Sequence, residues 1–289
     1  MSTKVFIDGT ITDAAEARVS VFDRGFLYGD SVYEVVRTSG GVPVDLGPHL
    51  DRLAASGAAL RLAVPEAAVV RDAVRATLAA AGNPESYVRV IVSRGAGEIG
   101  LDPALADGPR LIVIVKPLPV PPEALYRDGA HVVIVEVERT SRRALDPAVK
   151  SGNYLNNILA LDEARRRGAY EALLCDARGR VAEGSTCNVF AVRGGVLSTP
   201  SLEVGVLAGI TRMRTLELAR ADGLAVIEGE LWPDELRAAD EIFLTSSIRG
   251  VMPVGRIDDR PIPIGPVTRR LMARYAAHLA AAAPASARL

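Results

Sequence analysis

A few residues in this chain are of a type and spacing that could do chemistry, and Lys150 comes first among them. Of 34 basic residues only Lys4, Lys116 and Lys150 are lysine; the rest are arginine. A guanidinium stays protonated, whereas an amine can shed its proton and attack a carbonyl carbon. Lys150-Ser-Gly-Asn-Tyr154 is a polar turn leading into a helix. A lysine in such a turn is ordinarily surface charge. One that is desolvated beside a bound anion and an electron-poor ring becomes a nucleophile and then a general base. Glu183, in Glu183-Gly-Ser-Thr-Cys-Asn188, has two readings: a turn glutamate, or a buried carboxylate that keeps a ring nitrogen protonated and makes the ring an electron sink.

Other segments could seat an anion. Leu207-Ala-Gly-Ile-Thr211 puts Gly209, Ile210 and Thr211 at the start of a helix, where free N–H groups and the positive dipole end collect negative charge. An ordinary threonine cap has the same spelling. Thr245-Ser246-Ser247 ends a strand and reads as a polar turn or as a second anion nest. Arg52 follows His49 by one helical turn, and most such arginines are simply solvated. Tyr87 and Arg89, two apart on a strand, share one face.

The elements that must position these residues are mixed. Val5-Phe6-Ile7 and Thr10-Ile11 flank Asp8-Gly9, a two-residue hairpin signal. Ser31–Thr38, Tyr87–Val92 and Leu111–Val115 read as strands, and His49–Leu62 and Glu66–Ala81 as helices. Four prolines within 116–122 stiffen an extended stretch that cannot join a central ladder. Beyond it the sequence predicts a strand over His131–Val137, a helix over Tyr154–Arg167, strands at Ala172–Cys175, Asn188–Val192, Ala225–Ile227 and Glu241–Leu244, and helices over Gly209–Ala221 and Val267–Ala281. The fold class is α/β (α+β) in two domains: a smaller N-terminal α/β domain over 1–116, a Pro-rich linker over 117–128 and a larger mixed C-terminal domain over 129–289.

Bulk properties narrow the function. A net charge of −1 gives no basic field for nucleic acid or anionic membrane. Cys175 and Cys187 form no disulfide framework, and the start MSTKVFIDG lacks the apolar stretch of a signal peptide. No apolar run reaches membrane-spanning length. The expectation is a soluble cytoplasmic protein with small-molecule substrates, no nucleic acid or membrane partner, and no metal site.

Taken in order, Asp23-Arg-Gly-Phe-Leu-Tyr-Gly-Asp-Ser-Val-Tyr-Glu-Val-Val-Arg37, His49-x-x-Arg52-Leu53, Lys150-Ser-Gly-Asn-Tyr154, Glu183-Gly-x-x-x-Asn188-x-Phe190, Gly209-Ile-Thr211 and Thr245-Ser-Ser247 before Pro253-Val254 resemble the class IV aminotransferases. These are the fold-type IV pyridoxal 5′-phosphate enzymes: branched-chain and D-amino acid aminotransferases, (R)-amine transaminases and aminodeoxychorismate lyases. The resemblance implies that Lys150 holds the cofactor as a Schiff base and then moves the proton between substrate Cα and cofactor. It implies that Glu183 pairs with the pyridine nitrogen. Arg52, Gly209, the Ile210 and Thr211 amides, Ser246 and Ser247 would hold the phosphate, with Leu207 against the ring and Tyr154 on its 3′-oxygen. It also implies a homodimer or larger homo-oligomer acting on an amino acid and a 2-oxo acid.

Within the family, Tyr87-Val-Arg89 resembles the Tyr-x-Arg of branched-chain enzymes, in which tyrosine meets the α-carboxylate and arginine the distal carboxylate of glutamate. Ile248 and Arg249 would also lie near the substrate carboxylate. Against this, Tyr33-Glu-Val-Val-Arg37 replaces the usual Phe-Glu-Gly-Ile-Arg, so Val35 narrows the pocket as in D-amino acid aminotransferases. The Arg-x-His trap of D-specific members is missing after Arg94-Gly95, leaving Arg24, Arg37 or Arg89 to substitute. The lyases' catalytic threonine falls where Val35 stands. Transfer between branched-chain L-amino acids and an acceptor such as 2-oxoglutarate ranks first, a D-amino acid or (R)-amine transaminase second, and a lyase or non-catalytic cofactor-binding protein third.

Overall fold

The computed structural model describes residues 2–283. They form two compact units. The first takes the described residues of Met1–Pro119, Val149–Asn153 and Leu279–Leu289; the second takes Val120–Ala148 and Tyr154–His278.

In the first unit the Asp8-Gly9 turn joins β1 (Lys4–Ile7) to β2 (Thr10–Asp13). Both central residues have positive φ, 44° and 98°, the mirror-image turn that suits the twist of paired strands. Next come α1 (Arg24–Tyr28), β3 (Ser31–Ser39), β4 (Val42–Pro43), α2 (Leu46–Ala59), α3 (Ala67–Ala81), β5 (Ser86–Ser93) and β6 (Arg110–Pro117), with sheet order β2-β1-β6-β5-β3-β4. Helix α2 starts ahead of its expected place at His49, because Gly47 and Pro48 hide a first turn in which proline's missing N–H costs nothing.

Val32 and Val36 of β3, Val88, Val90 and Val92 of β5, and Leu111, Val113 and Val115 of β6 pack on Leu50, Leu53, Val70 and Val74 from the two helices. Side chains alternate along a strand. The antiparallel register places Val35 opposite Arg89, Arg37 opposite Tyr87 and Tyr87 opposite Lys116. Tyr33, Val35, Arg37, Tyr87, Arg89 and Lys116 therefore share the sheet face turned away from α2 and α3.

The second unit begins with α4 (Ala124–Arg127), inside the stretch expected to be a plain linker. There follow β7 (Ala130–Ile134), α5 (Leu155–Arg166), β8 (Glu171–Cys175), β9 (Val181–Gly184), β10 (Asn188–Arg193), β11 (Val196–Pro200), α6 (Ile210–Ala221), β12 (Val226–Gly229), α7 (Pro233–Arg237), β13 (Glu241–Ser246), β14 (Gly250–Ile257), β15 (Arg260–Pro261) and α8 (Pro266–Ala282). The sheet runs β12-β11-β10-β13-β14-β7-β8-β9, with β15 on β14. It mixes parallel pairs (β7 with β8 and β14) with antiparallel ones. Val189, Ala191, Leu244, Met252 and Val254 build its core with Leu236, and Phe190 stacks on its cross-strand partner Phe243 at 4.8 Å.

Candidate active site

Lys150 belongs to the first unit, although its number falls within the range 129–289 expected for the C-terminal domain. Backbone pairing is the reason. Ser151 bridges Val32, the Tyr33 amide donates to the Lys150 carbonyl at 2.9 Å, and the Gly152 amide donates to the Ser31 carbonyl at 2.7 Å. The Lys150 amide donates to Ser56 Oγ of α2 at 3.1 Å. The lysine is thus no surface charge on a loose turn. Its Nζ lies 3.4 Å from Tyr33 Oη and 4.4 Å from the ring centroid. Arg89 Cζ lies 3.9 Å from the same centroid, and Lys116 Nζ lies 5.0 Å from the Tyr87 ring.

On the helix side of β3, Glu34 is fully buried. Arg52 grips it with Nε on Oε1 and Nη2 on Oε2, both at 2.7 Å, and His49 Nδ1 lies 2.7 Å from Oε2. Burial alone would raise this carboxyl above its ordinary 4.5. The Arg52 hydrogen bonds and charge, then those of His49, outweigh burial and bring it to about 2. A depressed carboxylate stabilises the fold at pH above its unfolded value and loses that contribution as pH falls toward the folded one. Glu34 thus contributes about 3 kcal/mol at neutral pH. It is lost between pH 4.5 and about 2. In urea titrations from pH 6 to 2, Glu34→Gln is expected to start less stable and to lose stability less steeply below pH 4.5 than the parent. Parallel curves for the two proteins would contradict this account.

Arg24, expected as a candidate carboxylate anchor, is engaged within the first unit. Its buried guanidinium donates to Asp30 at 3.1 Å and to the Gly100 and Leu101 carbonyls at 2.8 and 3.2 Å. Arg94 holds the same carboxylate bidentately. Burial opposes the charge on Asp30, but Arg94 and Arg24 carry its pKa below the ordinary value. Arg37 remains on the Tyr33 face, its Nε donating to the Thr38 carbonyl.

In the second unit, Glu183 lies in strand β9 and is 5 % exposed, so it is not a turn residue. The donors to its carboxylate include Arg139 Nη2 at 2.8 Å, Asn188 Nδ2 at 3.2 Å and the Leu207 amide at 3.0 Å. Asn188 also donates to the Leu207 carbonyl at 2.9 Å, fixing the approach to α6. Gly209 is the N-cap of that helix and supplies no side-chain cap. A Cβ there would collide with the Asn188 side chain, so only glycine fits. Thr211 is buried, its hydroxyl 3.4 Å from Tyr275 Oη. Tyr154 stands at the N-terminal edge of α5.

Ser246, Ser247, Ile248 and Arg249 form the turn between β13 and β14. Arg249, expected near the substrate carboxylate, is engaged by side chains of the second unit. Its Nη1 is 2.7 Å from Glu171, its Nε is 3.1 Å from Ser246 Oγ, and Nη2 bonds Thr186 Oγ1. Burial works against this charge, while Cys187 and Glu171 carry the Arg249 pKa above the ordinary arginine value. Glu171 accepts in addition from the Ser185 amide and hydroxyl, so Arg249 ties the 246–249 turn to the end of β9. Burial and Glu171 push the Cys187 thiol well up, which removes it as a nucleophile.

Sequence reading passed over Glu34, Arg139, Glu171 and Tyr275. Glu34 and Asn188 at least lie inside the motifs. Arg139 sits among Arg142 and Arg143 with nothing to set it apart, and its buried Nε has no hydrogen-bond partner. Among the described residues, no three or more His, Cys, Asp or Glu side chains are grouped so as to hold a metal, and no helix is long and apolar enough to cross a membrane.

The second unit thus holds a buried carboxylate ringed by donors and an uncapped helix start walled by Asn188, and the first holds an amine drawn against a tyrosine. The class IV aminotransferase family model matches residues 31–257, and the chain belongs to that family. A Methanocaldococcus jannaschii protein with a provisional branched-chain-amino-acid aminotransferase name is 39% identical, covering 94% of this chain and 95% of its own. The T.th. branched-chain amino acid aminotransferase, solved with N-(5′-phosphopyridoxyl)-L-glutamate, superposes with a TM-score of 0.91 at 31% identity, covering 98% of this chain and 96% of that one. A D-alanine aminotransferase of Listeria innocua is 32% identical, covering 93% of each chain. The fold is fold-type IV, the protein is an aminotransferase, and its cofactor is pyridoxal 5′-phosphate.

Proposed function

We propose that this enzyme transfers the amino group between branched-chain L-amino acids and a dicarboxylic 2-oxo acid such as 2-oxoglutarate. The observation that carries the reading is the grouping of Tyr33, Val35, Tyr87 and Arg89 on one sheet face, with Arg89 drawn to the ring that meets the Lys150 amine. An apolar Val35 beside a cation suits a site that takes a hydrocarbon side chain in one half-reaction and a distal carboxylate in the other. The match to branched-chain enzymes over nearly the whole chain supports it as well.

Pyridoxal phosphate, when bound, supplies a carbonyl for amine exchange and a ring that takes up electrons as the substrate Cα loses its proton. Lys150 would hold it covalently, accept the Cα proton and return it. Glu183, hydrogen-bonded by Arg139, Asn188 and the Leu207 amide, would hold a proton on the ring nitrogen. Arg52, Gly209, Ile210, Thr211, Ser246 and Ser247 would hold the phosphate, Leu207 and Tyr154 would contact the ring, and Tyr87 would meet the α-carboxylate. We propose further that the enzyme works in the cytoplasm as a homodimer or larger assembly.

Arg52 carries two duties, so its loss has two readouts. In Arg52→Ala the phosphate loses a charge-assisted partner, expected to weaken cofactor binding about tenfold or more in equilibrium dialysis. Glu34 loses its main partner inside the fold, which also lowers stability. Cofactor retention equal to that of the parent would count against the phosphate assignment.

The D-amino acid or (R)-amine reading is favoured by Val35 and by the D-alanine aminotransferase relatives. Its candidate anchor Arg24 is occupied by Asp30 and two carbonyls. A half-reaction screen decides: the enzyme is mixed with L-leucine, D-alanine, D-glutamate or (R)-1-phenylethylamine while the cofactor spectrum is followed. Conversion by L-leucine alone is expected; conversion only by the D-acids or the (R)-amine would replace the first reading with the second.

A further inference from the structure

Tyr33 is a buried phenol approached by a guanidinium and an amine. The Arg89 guanidinium carbon lies 3.9 Å from its ring centroid, and the Lys150 amine lies 4.4 Å from the same centroid and 3.4 Å from the hydroxyl. Register does not place Arg89 against Tyr33. Arg89 pairs directly with Val35, while Tyr33 pairs with Ile91, so Arg89 reaches its ring along the diagonal. Diagonal neighbours are within range of a long side chain. The position straight across is filled by the branched carbons of Val35, which offer a guanidinium no polar partner. The Tyr33 face offers it a cation–π seat, strengthened by partial exclusion of water. Tyr33 is held in turn by its place in β3, where its amide donates to the Lys150 carbonyl at 2.9 Å.

We propose that Tyr33 is the positioning residue that presents Arg89 to the distal carboxylate of the acceptor, and that its ring face, not its hydroxyl, does so. This rests on the aminotransferase reading only in taking that carboxylate as the ligand of Arg89. A guanidinium already seated beside the lysine needs no reordering when a dicarboxylate arrives, and the ordering cost saved appears as affinity. An apolar side chain gains nothing from the seat. Tyr33 would thereby set the balance between dicarboxylic and apolar substrates.

The test uses the cofactor-loaded enzyme and two unreactive acids, glutarate and 4-methylvalerate, titrated by calorimetry. Tyr33→Leu is expected to weaken glutarate about tenfold while leaving 4-methylvalerate within about twofold. Tyr33→Phe, which keeps the ring, is expected to leave both within about twofold. In an Arg89→Ala background Tyr33→Leu is expected to cost glutarate nothing further, since the seat then has no occupant. If Tyr33→Leu does not fold, Tyr33→Met supplies bulk without a π face. Equal weakening of both acids, a loss in Tyr33→Phe matching that in Tyr33→Leu, or additive losses in the Arg89→Ala background would overturn the proposal. Binding of an unreactive acid needs no turnover. Discrimination between the two acids in an enzyme that converts no amine would therefore support the seat and sink only the transfer reaction. Turnover without discrimination would do the reverse.

Discussion

Lys150→Ala is expected to abolish the absorption band near the visible edge that a lysine-bound cofactor gives, and to lower kcat by at least about 10⁴-fold. Two contributions are lost together. The proposed covalent anchor is removed, and with it the amine proposed to take and return the Cα proton, a service commonly worth 10²–10⁴-fold on its own. Folding should survive. The pairing that holds this segment runs through backbone groups, from the Tyr33 amide to the Lys150 carbonyl and from the Lys150 amide to Ser56 Oγ, and alanine keeps both. An unchanged band with normal turnover would remove Lys150 from the mechanism altogether. A band lost along with the far-ultraviolet circular dichroism would instead show that the segment is needed for folding.

Glu183→Gln ranks second in expected effect. Glutamine keeps the shape, and its one carbonyl oxygen can still accept either from Arg139 or from Asn188 and the Leu207 amide, but it cannot carry the negative charge that would keep a ring nitrogen protonated. A fall in kcat of about 10²–10³-fold is expected, the usual cost of removing one preorganised electrostatic group from a reacting centre. The cofactor band should shift as well. Glu183→Ala adds a separate penalty, because Arg139, its side chain 10% exposed, then faces neither a carboxylate nor any accepting oxygen. Breaking a buried pair from one side typically costs about 3–5 kcal/mol, so this variant should melt well below the glutamine variant. If the two variants melt together, Arg139 draws its support from elsewhere. If Glu183→Gln turns over normally, the ring-nitrogen role falls.

These two predictions differ in how much of them could be read before any fold was in hand. The lysine's type pointed to its possible chemistry, because this chain uses arginine for nearly all of its positive charge. The order of the Lys150, Glu183 and Gly209–Thr211 motifs then tied the residues to one family. Local signals were also enough for most elements. Asp8-Gly9 dictates a tight hairpin, alternation marks β3 and β5, and Gly82 closes α3 in the left-handed conformation at φ 61°. The shared face of Tyr87 and Arg89 followed from strand period alone. Elements with weak local signals were missed or misread. Helix α4 lies in a proline-rich stretch, and the four residues of β9 resemble a turn because Gly184 and Ser185 follow Glu183.

What sequence could not decide is where each charge is spent. Arg24, Arg52, Arg89, Arg139 and Arg249 have the same side chain, and nothing in their spacing separates a substrate anchor from a structural strut. Tertiary packing separates them by the partner each one meets: Asp30 and two carbonyls for Arg24, Glu34 for Arg52, the Tyr33 ring for Arg89, Glu183 for Arg139, and Glu171 for Arg249. Those partners lie 6, 18, 56, 44 and 78 positions away along the chain, so only the fold brings them within reach. The same holds for Lys150. Its candidacy as a reactive amine came from composition and motif, but its attachment to β3 and α2 comes from hydrogen bonds to Tyr33 and Ser56, 117 and 94 residues away, interactions that no local pattern encodes.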